Sequence, residues 1–489
     1  MRPRVLVVGK ILLVGSMLVP CHCCTGQLHN KPNIVFIMAD DMGFGDVGCY
    51  NPESKIDTPN MDKLASEGMR FTRAHTPSSL CSPTRYGLLT GRYCWRTSLK
   101  KGVLADFYGD KPLIEKKRMT LASLLQEAGY ETACIGKWHV GLSWHTLDGT
   151  PPSYAEEANI DFSKPVIDGP LERGFDTFYG TAGCSTSDPP YCFIENDRTV
   201  SIPNQMIPAE IDRMPGVVTG RMASDWSQEE VDIRLTEQAI GFIERHQQHR
   251  AEDPFFLYFV PSSPHIPWLV PESIKGKSDA GPRGDLVALV DWCVGQIMHT
   301  LEKQGLEQNT LVILTSDNGP RRGANGHKSA GNLRGYKGQI WEGGHRVPFI
   351  ARWPGKIESG TRSDDLFSLT DMMASFSALV DRALPENAGE DSYNVLPVLL
   401  GKAMAKNRTR PRVFHSANGV FAIQQGQWIL IQGTKGAGSG KDRVDPDSLM
   451  HTGQLYNLDR DPCEENDLWD QHPDTVSKLN QILERIKSQ

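Results

Sequence analysis

The sequence lacks any run of basic residues and any apolar segment long enough to cross a membrane. Its 52 lysines and arginines are scattered and are outnumbered by 59 acidic residues, which gives a net charge of −7. Nucleic acids and anionic membranes are bound through clustered positive charge, so neither is an expected partner. The longest apolar stretch, Val5–Val19, contains Lys10 and is shorter than the roughly 20 residues that a spanning helix requires. We therefore expect no membrane span and a small or polymeric substrate.

That apolar stretch predicts a secretory leader over residues 1–26. Arg2 and Arg4 precede it, and small and polar residues follow it up to Gly26. Export is therefore expected, to a periplasm, a secreted medium or a lysosome-like lumen depending on the source. Cysteines at the end of the leader raise the alternative of a bacterial lipoprotein, but Pro20 stands where that signal needs a small residue. Cleavage is favoured over anchoring.

The cysteine count leaves at least one thiol free. Of eleven cysteines, three lie in the leader, and assigning Cys81 to chemistry leaves an odd number. Cys184 and Cys192 flank a turn and form the easiest local pair to imagine as a disulfide. Buried, unpaired cysteines are an equally supported alternative.

Short apolar runs alternate with amphipathic helices along the chain. Helical spacing extends from Leu121 to Ala128 and from Leu286 to Leu301. This alternation predicts an α/β fold in which helices sandwich a large, mostly parallel sheet. The runs with strand character are Asn33–Met38, Glu131–Ile135, Pro254–Val260, Thr310–Leu314 and Val347–Ala351.

Polar residues follow four of these runs at the point where each ends. Each taken alone has an ordinary explanation as a turn, a helix cap or a structural histidine. Ligands in open α/β sheets bind beyond the carboxyl ends of the strands, so we expect these residues to converge at one edge. They are Asp40 and Asp41, Lys137 and His139, His265, and Asp317 and Asn318. Three carboxylates and an amide carbonyl provide hard oxygen ligands, which predict one calcium-like ion.

The strongest local signal runs from Cys81 to Arg92 as Cys-Ser-Pro-Thr-Arg-Tyr-Gly-Leu-Leu-Thr-Gly-Arg. This segment resembles the signature of type I sulfatases, Cys-x-Pro-x-Arg followed by Leu-Thr-Gly-Arg. In that family a formylglycine-generating enzyme oxidises the cysteine to formylglycine (3-oxoalanine). The resemblance continues in order along most of the chain. Further matching segments are Thr58–Ala65, Gly136–His139, Pro264–His265, Ser316–Gly319, Lys337–Gly338 and Leu455–Leu458.

The resemblance implies a role for each matching residue. Asp40, Asp41, Asp317 and Asn318 would hold calcium together with an oxygen of the modified Cys81. Arg85 would steady that modified side chain, and Lys137 and Lys337 would contact the sulfate. His139 would act on the formylglycine hydrate, and His265 would lie near the oxygen that leaves with the alcohol.

The resemblance also implies a fold like that of alkaline phosphatase, with a catalytic domain over residues 27–400 and a C-terminal subdomain over 401–489. In the subdomain, Val413–Phe421 and Gln427–Gln432 are predicted as antiparallel strands and Thr475–Ile486 as a helix. A glycine-rich loop covers Gly433–Lys441. Asn407 begins a glycosylation sequon, which matters only in a eukaryotic source.

The expected function is hydrolysis of sulfate esters, either aryl sulfates or sulfated carbohydrates. A phosphodiester or phosphonate ester hydrolase with the same nucleophile and cation is the main alternative, and a secreted, non-catalytic glycan-binding protein is a more distant one. The sequence does not choose the substrate. Four aromatic residues could stack on the substrate, although ordinary packing in the core is the favoured interpretation for each. They are Tyr86, Trp95, Tyr191 and Trp268.

Overall fold

The structure is a computed structural model that describes Met1, Pro3 and residues 31–104, 112–152, 154–402, 409–433 and 452–489. The expected leader over residues 1–26 therefore lies outside the described residues, apart from Met1 and Pro3, and so do the sequon at Asn407 and the glycine-rich loop beyond Gly433. Within these ranges no helix combines the length and the apolar character needed to cross a membrane.

A ten-stranded mixed sheet forms the centre of the molecule. The strands outside the C-terminal region are β1 (Asn33–Ala39), β2 (Met69–Phe71), β3 (Ala74–His75), β4 (Glu131–Lys137), β5 (Thr177–Thr181), β6 (Ile194–Glu195), β7 (Arg198–Thr199), β8 (Gln205–Met206), β9 (Arg221–Met222), β10 (Phe255–Val260), β11 (Thr310–Ser316), β12 (Phe349–Arg352), β13 (Thr361–Ser363) and β14 (Phe367–Ser368). The order across the sheet is β13-β2-β12-β11-β1-β10-β4-β5-β6-β7. The five neighbours β11, β1, β10, β4 and β5 are parallel.

Helices cover both faces of this sheet, as the α/β pattern predicts. The helices are α1 (Pro59–Ser66), α2 (Cys81–Thr90), α3 (Leu121–Glu127), α4 (Ala209–Asp212), α5 (Val231–His249), α6 (Gly281–Lys303), α7 (Glu342–His345), α8 (Met372–Leu379), α9 (Leu396–Leu399) and α10 (Pro473–Ser488). The alternating side chains of β1 show why both faces are covered. Ile34, Phe36 and Met38 pack into a core with α2, α3 and α8, while Val35 and Ile37 pack against α1, α5 and α6.

A second, four-stranded antiparallel sheet follows near the C-terminus, in the order β15 (Arg412–His415), β16 (Phe421–Gln425), β17 (Trp428–Gln432) and β18 (Gly453–Asn457). Helix α10 packs Val476, Leu479 and Leu483 on one face of it. Arg412 joins this sheet to the rest of the molecule through a buried ion pair with Asp371, at 2.9 Å between Nε and Oδ2.

Most of the predicted elements are present, with two differences. The run Val347–Ala351 begins two residues too early, since Val347 and Pro348 precede β12, and β12 is antiparallel to β11. The stretch Val413–Phe421 is not one strand. It turns after His415 and pairs back as β16, because Gly419 adopts a left-handed conformation with φ of 81°.

Candidate active site

The carboxyl ends of the parallel strands β11, β1, β10 and β4 meet at one edge of the central sheet, and the predicted polar residues lie there. Asp40 and Asp41 follow β1, Lys137 ends β4, His265 lies five residues beyond β10, and Asp317 follows β11. All five side chains are buried. The structure therefore brings together the residues that the sequence pattern placed at this edge.

Asp40, Asp41, Asp317 and Asn318 form a fully buried group of oxygen-bearing side chains. The Asn318 amide donates to Asp41 Oδ1 at 2.7 Å, and the Asp41 backbone N–H donates to Asp317 Oδ1 at 3.2 Å. Asp41 is held with a φ of 70°, a conformation that non-glycine residues seldom adopt. Such backbone strain is typical of functional sites, where the surrounding structure fixes it.

Three oxygens of this group have no hydrogen-bond partner among the described residues: Asp40 Oδ1, Asp41 Oδ2 and Asn318 Oδ1. Buried acceptors without a partner are rare, because each one loses its hydration on folding. Carboxylate and amide oxygens are the ligands that calcium and magnesium prefer. The donor set therefore fits a hard divalent cation.

Four cationic side chains surround the carboxylates: Arg85, Lys137, Lys337 and Arg321, whose Nε lies 3.5 Å from Asp41 Oδ2. Arg85 donates from Nη2 and Nε to Asp317 Oδ2 at 2.7 and 3.2 Å, and from Nη1 to the Lys137 carbonyl at 2.8 Å. Lys137 Nζ donates to Asp40 Oδ2, and Lys337 Nζ lies 2.5 Å from Asp41 Oδ1. Arg85 and Lys137 thereby tie the first turns of α2 and the end of β4 to the acidic group.

These charges set the acidity of the carboxyl groups. Burial raises the pKa of Asp40, but attraction to Lys137, His265 and Arg85 outweighs it and holds the pKa below its ordinary value. Burial and repulsion from Asp40 raise the pKa of Asp317 to about 8, although Arg85 opposes the shift. Asp40 and Asp317 therefore repel each other in a buried site, and a divalent cation bound by both would offset that repulsion.

Cys81 is the first residue of α2 and is buried. Leu80 before it is extended, so the helix begins at the cysteine and places Arg85 one turn further along. The Cys81 Sγ and one oxygen each of Asp40 and Asp317 lie within 4.8 Å of one another. The Cys81 thiol therefore lies beside the acidic group.

An open pocket with a volume of about 430 Å³ leads to Cys81. Its lining includes His139, Cys184, His265, Arg321 and Lys337. His139 Nε2 lies 3.2 Å from the Leu104 carbonyl, and His265 Nδ1 lies 2.8 Å from the Ile266 carbonyl. Burial and the charge of Lys337 lower the pKa of His265.

Cys184 and Arg321 are site residues that sequence reasoning missed. Arg321 lines the pocket and pairs with Asp41. Cys184 was considered only as a disulfide partner. It is not bonded to Cys192, and all eight cysteines in the described part of the chain are free thiols. Its Sγ lies 3.7 Å from His139 Nδ1 and 4.0 Å from His265 Nε2. A hydrogen bond with Cys184, together with Lys137 and Lys337, lowers the pKa of the Cys81 thiol against the effect of burial. The position of Cys184 could have identified it as a site residue, because it follows β5 at the same edge of the sheet.

The four aromatic residues considered for substrate stacking differ in burial. Tyr86, Trp95 and Tyr191 are buried among apolar neighbours. Trp268 has 37% of its surface exposed and remains available. The packing interpretation therefore holds for the first three.

The C-terminal sheet also contributes to the pocket. Ala417 and Asn418, in the turn between β15 and β16, line it. The Ala417 N–H donates to the Gly338 carbonyl at 3.0 Å, next to Lys337. The pocket wall is therefore built by both sheets.

Comparison with known proteins agrees with this geometry. A family model described as Sulfatase matches residues 32–382. The chain is similar to N-acetylgalactosamine-6-O-sulfatase of Bacteroides thetaiotaomicron, with 34% identity over 95% of this chain and 94% of the relative. It is also similar to human arylsulfatase A, with 32% identity over 93% and 87%.

A solved structure from work on glycosaminoglycan metabolism by B. thetaiotaomicron superposes with a TM-score of 0.82. It shares 33% identity with this chain, and the match covers 94% of this chain and 100% of the other. A sulfatase from a Pseudoalteromonas species matches with a TM-score of 0.72 and 26% identity over 94% and 90%. The chain belongs to the sulfatase family, whose members are sulfuric ester hydrolases.

Proposed function

We propose that this sulfatase acts on sulfated carbohydrates, using formylglycine made from Cys81 beside a calcium ion held by Asp40, Asp41, Asp317 and Asn318. The proposal is supported by three buried oxygens of Asp40, Asp41 and Asn318 that have no hydrogen-bond partner among the described residues. One oxygen each of Asp40 and Asp317 also lies within 4.8 Å of Cys81 Sγ. A hard cation and an oxygen nucleophile at Cys81 would satisfy both features.

When bound, calcium would supply Lewis acidity, and the formylglycine hydrate would supply two geminal hydroxyls, one to attack sulfur and one to expel sulfate. Arg85 would hold the modified side chain in place, because its guanidinium is fixed by Asp317 and the Lys137 carbonyl. The structure thus offers a rigid support for the nucleophile.

Lys137 and Lys337 would bind the sulfate oxygens. Both ammonium groups now pair with the carboxylates, which a cation would take over as ligands. Freed from those pairs, each lysine could donate hydrogen bonds to the sulfate oxygens, on which negative charge develops in the transition state.

The two histidines would move protons. His265 would donate one to the departing alcohol oxygen, and His139 would remove one from the second hydroxyl. Both rings contact the Cys184 sulfur, His139 through Nδ1 at 3.7 Å and His265 through Nε2 at 4.0 Å, so the acid for the first step and the base for the second would lie close together.

A sulfated carbohydrate fits the pocket and the relatives better than an aryl sulfate alone. The pocket is open and has polar groups in its lining, among them Asp188, Arg321 and Asn418. Hydroxyl-rich sugars are held by such groups. The similar B. thetaiotaomicron protein acts on N-acetylgalactosamine 6-O-sulfate, as its name states. We therefore propose a 6-O-sulfated amino sugar as the first substrate to test.

We also propose the steps that precede activity. The leader over residues 1–26 would direct export and be removed, and a formylglycine-generating enzyme would convert Cys81. Because Cys81 is buried in the folded chain, conversion would take place before folding is complete. The remaining chain would consist of a catalytic domain over 27–400 and a subdomain over 401–489.

The substrate class can be tested with matched esters. Protein produced beside a formylglycine-generating enzyme should release sulfate from N-acetylgalactosamine 6-sulfate and from 4-nitrophenyl sulfate. It should release 4-nitrophenol from bis(4-nitrophenyl) phosphate far more slowly, because the site would be shaped for a group carrying one ester bond and three further oxygens. Measured kcat/KM values decide the matter, and a faster phosphodiester reaction would contradict the proposal.

Replacing His265 should lower kcat more for a substrate with a poor leaving group than for one with a good leaving group. His265→Ala should lower kcat by about 10²- to 10⁴-fold on the sugar sulfate, because an alkoxide needs a proton to leave. The loss should be much smaller on 4-nitrophenyl sulfate, whose phenolate leaves unaided. His299→Ala, an exposed histidine on α6, serves as the control. Equal losses on both substrates would rule out the acid role.

Calcium should stabilise the folded chain through the acidic group. At about 100 times its Kd, a ligand that binds only the folded state raises the free energy of unfolding by about 2.7 kcal/mol. We expect calcium to raise Tm in wild type and not in Asp40→Asn or Asp317→Asn. Asp46→Asn is the matched control, since this buried carboxylate is already paired with Arg283 and His327. A calcium shift that survives in Asp40→Asn and Asp317→Asn would place the ion elsewhere.

A further inference from the structure

The proposed mechanism gives no task to Cys184, yet this buried thiol lines the pocket beside Cys81. Its Sγ, the Cys81 Sγ and one ring nitrogen of His139 all lie within 4.8 Å of one another. All three side chains are buried and all three line the pocket. Two thiols and an imidazole form a softer donor set than the neighbouring carboxylates.

The orientation of His139 matches that of a metal ligand. Its Nε2 is within hydrogen-bond distance of the Leu104 carbonyl, at 3.2 Å, and a carbonyl can only accept. In the neutral ring the proton is therefore on Nε2, which leaves a lone pair on Nδ1. This is the nitrogen that lies 3.7 Å from Cys184 Sγ. Histidines that bind metals are fixed in this way, with the other ring N–H donated to a carbonyl or carboxylate.

The spacing also suits zinc. A tetrahedral ion with bonds of roughly 2.3 Å to sulfur and 2.0–2.1 Å to nitrogen separates those two ligand atoms by about 3.6 Å. The His139 to Cys184 distance of 3.7 Å is close to that value. The open pocket gives the ion a route to the site and leaves room for water as a fourth ligand.

We propose that the chain, before Cys81 is converted, binds one Zn²⁺ through Cys81, His139 and Cys184. Binding replaces the two thiol protons with the metal and releases them to solvent, and no electrons are transferred. Formylglycine at position 81 has no sulfur, so conversion removes one of the three ligands. The zinc site is thus a property of the unconverted form, distinct from sulfate-ester hydrolysis, and binding would hold that form in a folded, inactive state.

The test uses the full chain produced without a formylglycine-generating enzyme and saturated with calcium, so that the carboxylate group is blocked. Zinc affinity and stoichiometry are measured by equilibrium dialysis with metal analysis. Co²⁺ then replaces zinc, because cobalt bound to thiolates gives a charge-transfer absorption that oxygen ligands do not give. We expect one zinc per chain and a cobalt spectrum with this thiolate band.

Cys184→Ser and Cys81→Ser should each weaken zinc binding by more than about tenfold, since loss of even an outer hydrogen-bond partner costs 10- to 100-fold. Cys463→Ser, which removes a half-buried thiol elsewhere, should leave binding unchanged. Converted wild-type protein should lose affinity like Cys81→Ser. His139→Gln offers an independent ligand change if a serine variant does not fold, as judged by its thermal unfolding.

The proposal is overturned if Cys184→Ser and Cys81→Ser bind zinc as wild type does, or if the cobalt complex lacks a thiolate band. Both readouts come from unconverted protein. A failed sulfatase assay on converted protein therefore leaves them unaffected, and a failed zinc measurement leaves the sulfatase proposal unaffected.

Discussion

The concentration of negative charge at one edge of the central sheet is the constraint on which the site depends. Three fully buried carboxylates stand side by side, and desolvated charges of like sign are costly unless they are balanced. Arg85 from α2, Lys137 from β4, and Arg321 and Lys337 from the loop before α7 provide that balance. Because these cations come from separate elements, the acidic group fixes how those elements are arranged around it.

The parallel sheet makes this arrangement possible. Its central strands are buried on both faces, so only their ends can present polar groups to a ligand. Asp41 and His139, which follow β1 and β4, are both held in left-handed backbone conformations, with φ of 70° and 53°. The rigid strands behind them support this local strain, which turns their side chains into the site.

The sequence predicted the α/β class and the convergence of Asp40, Lys137, His265 and Asp317, because strand ends are visible as short apolar runs followed by polar residues. It did not predict the turn after His415, although Ser416–Gly419 interrupts the strand-forming residues and Asn418-Gly419 is typical of a hairpin turn, where Gly419 has a φ of 81°. Cys184 was missed for a different reason. A cysteine near a second cysteine favours a disulfide in an exported chain, and only the tertiary structure shows its contact with His139 and His265.

The most direct test of the account is the chemical state of residue 81 in protein made beside a formylglycine-generating enzyme. Mass spectrometry of the peptide that contains Cys81 distinguishes the thiol from the aldehyde, and an aldehyde-specific reagent confirms the assignment. The account predicts an aldehyde at this position in the active protein. Sulfate-ester hydrolysis by protein in which Cys81 remains entirely a thiol would contradict it.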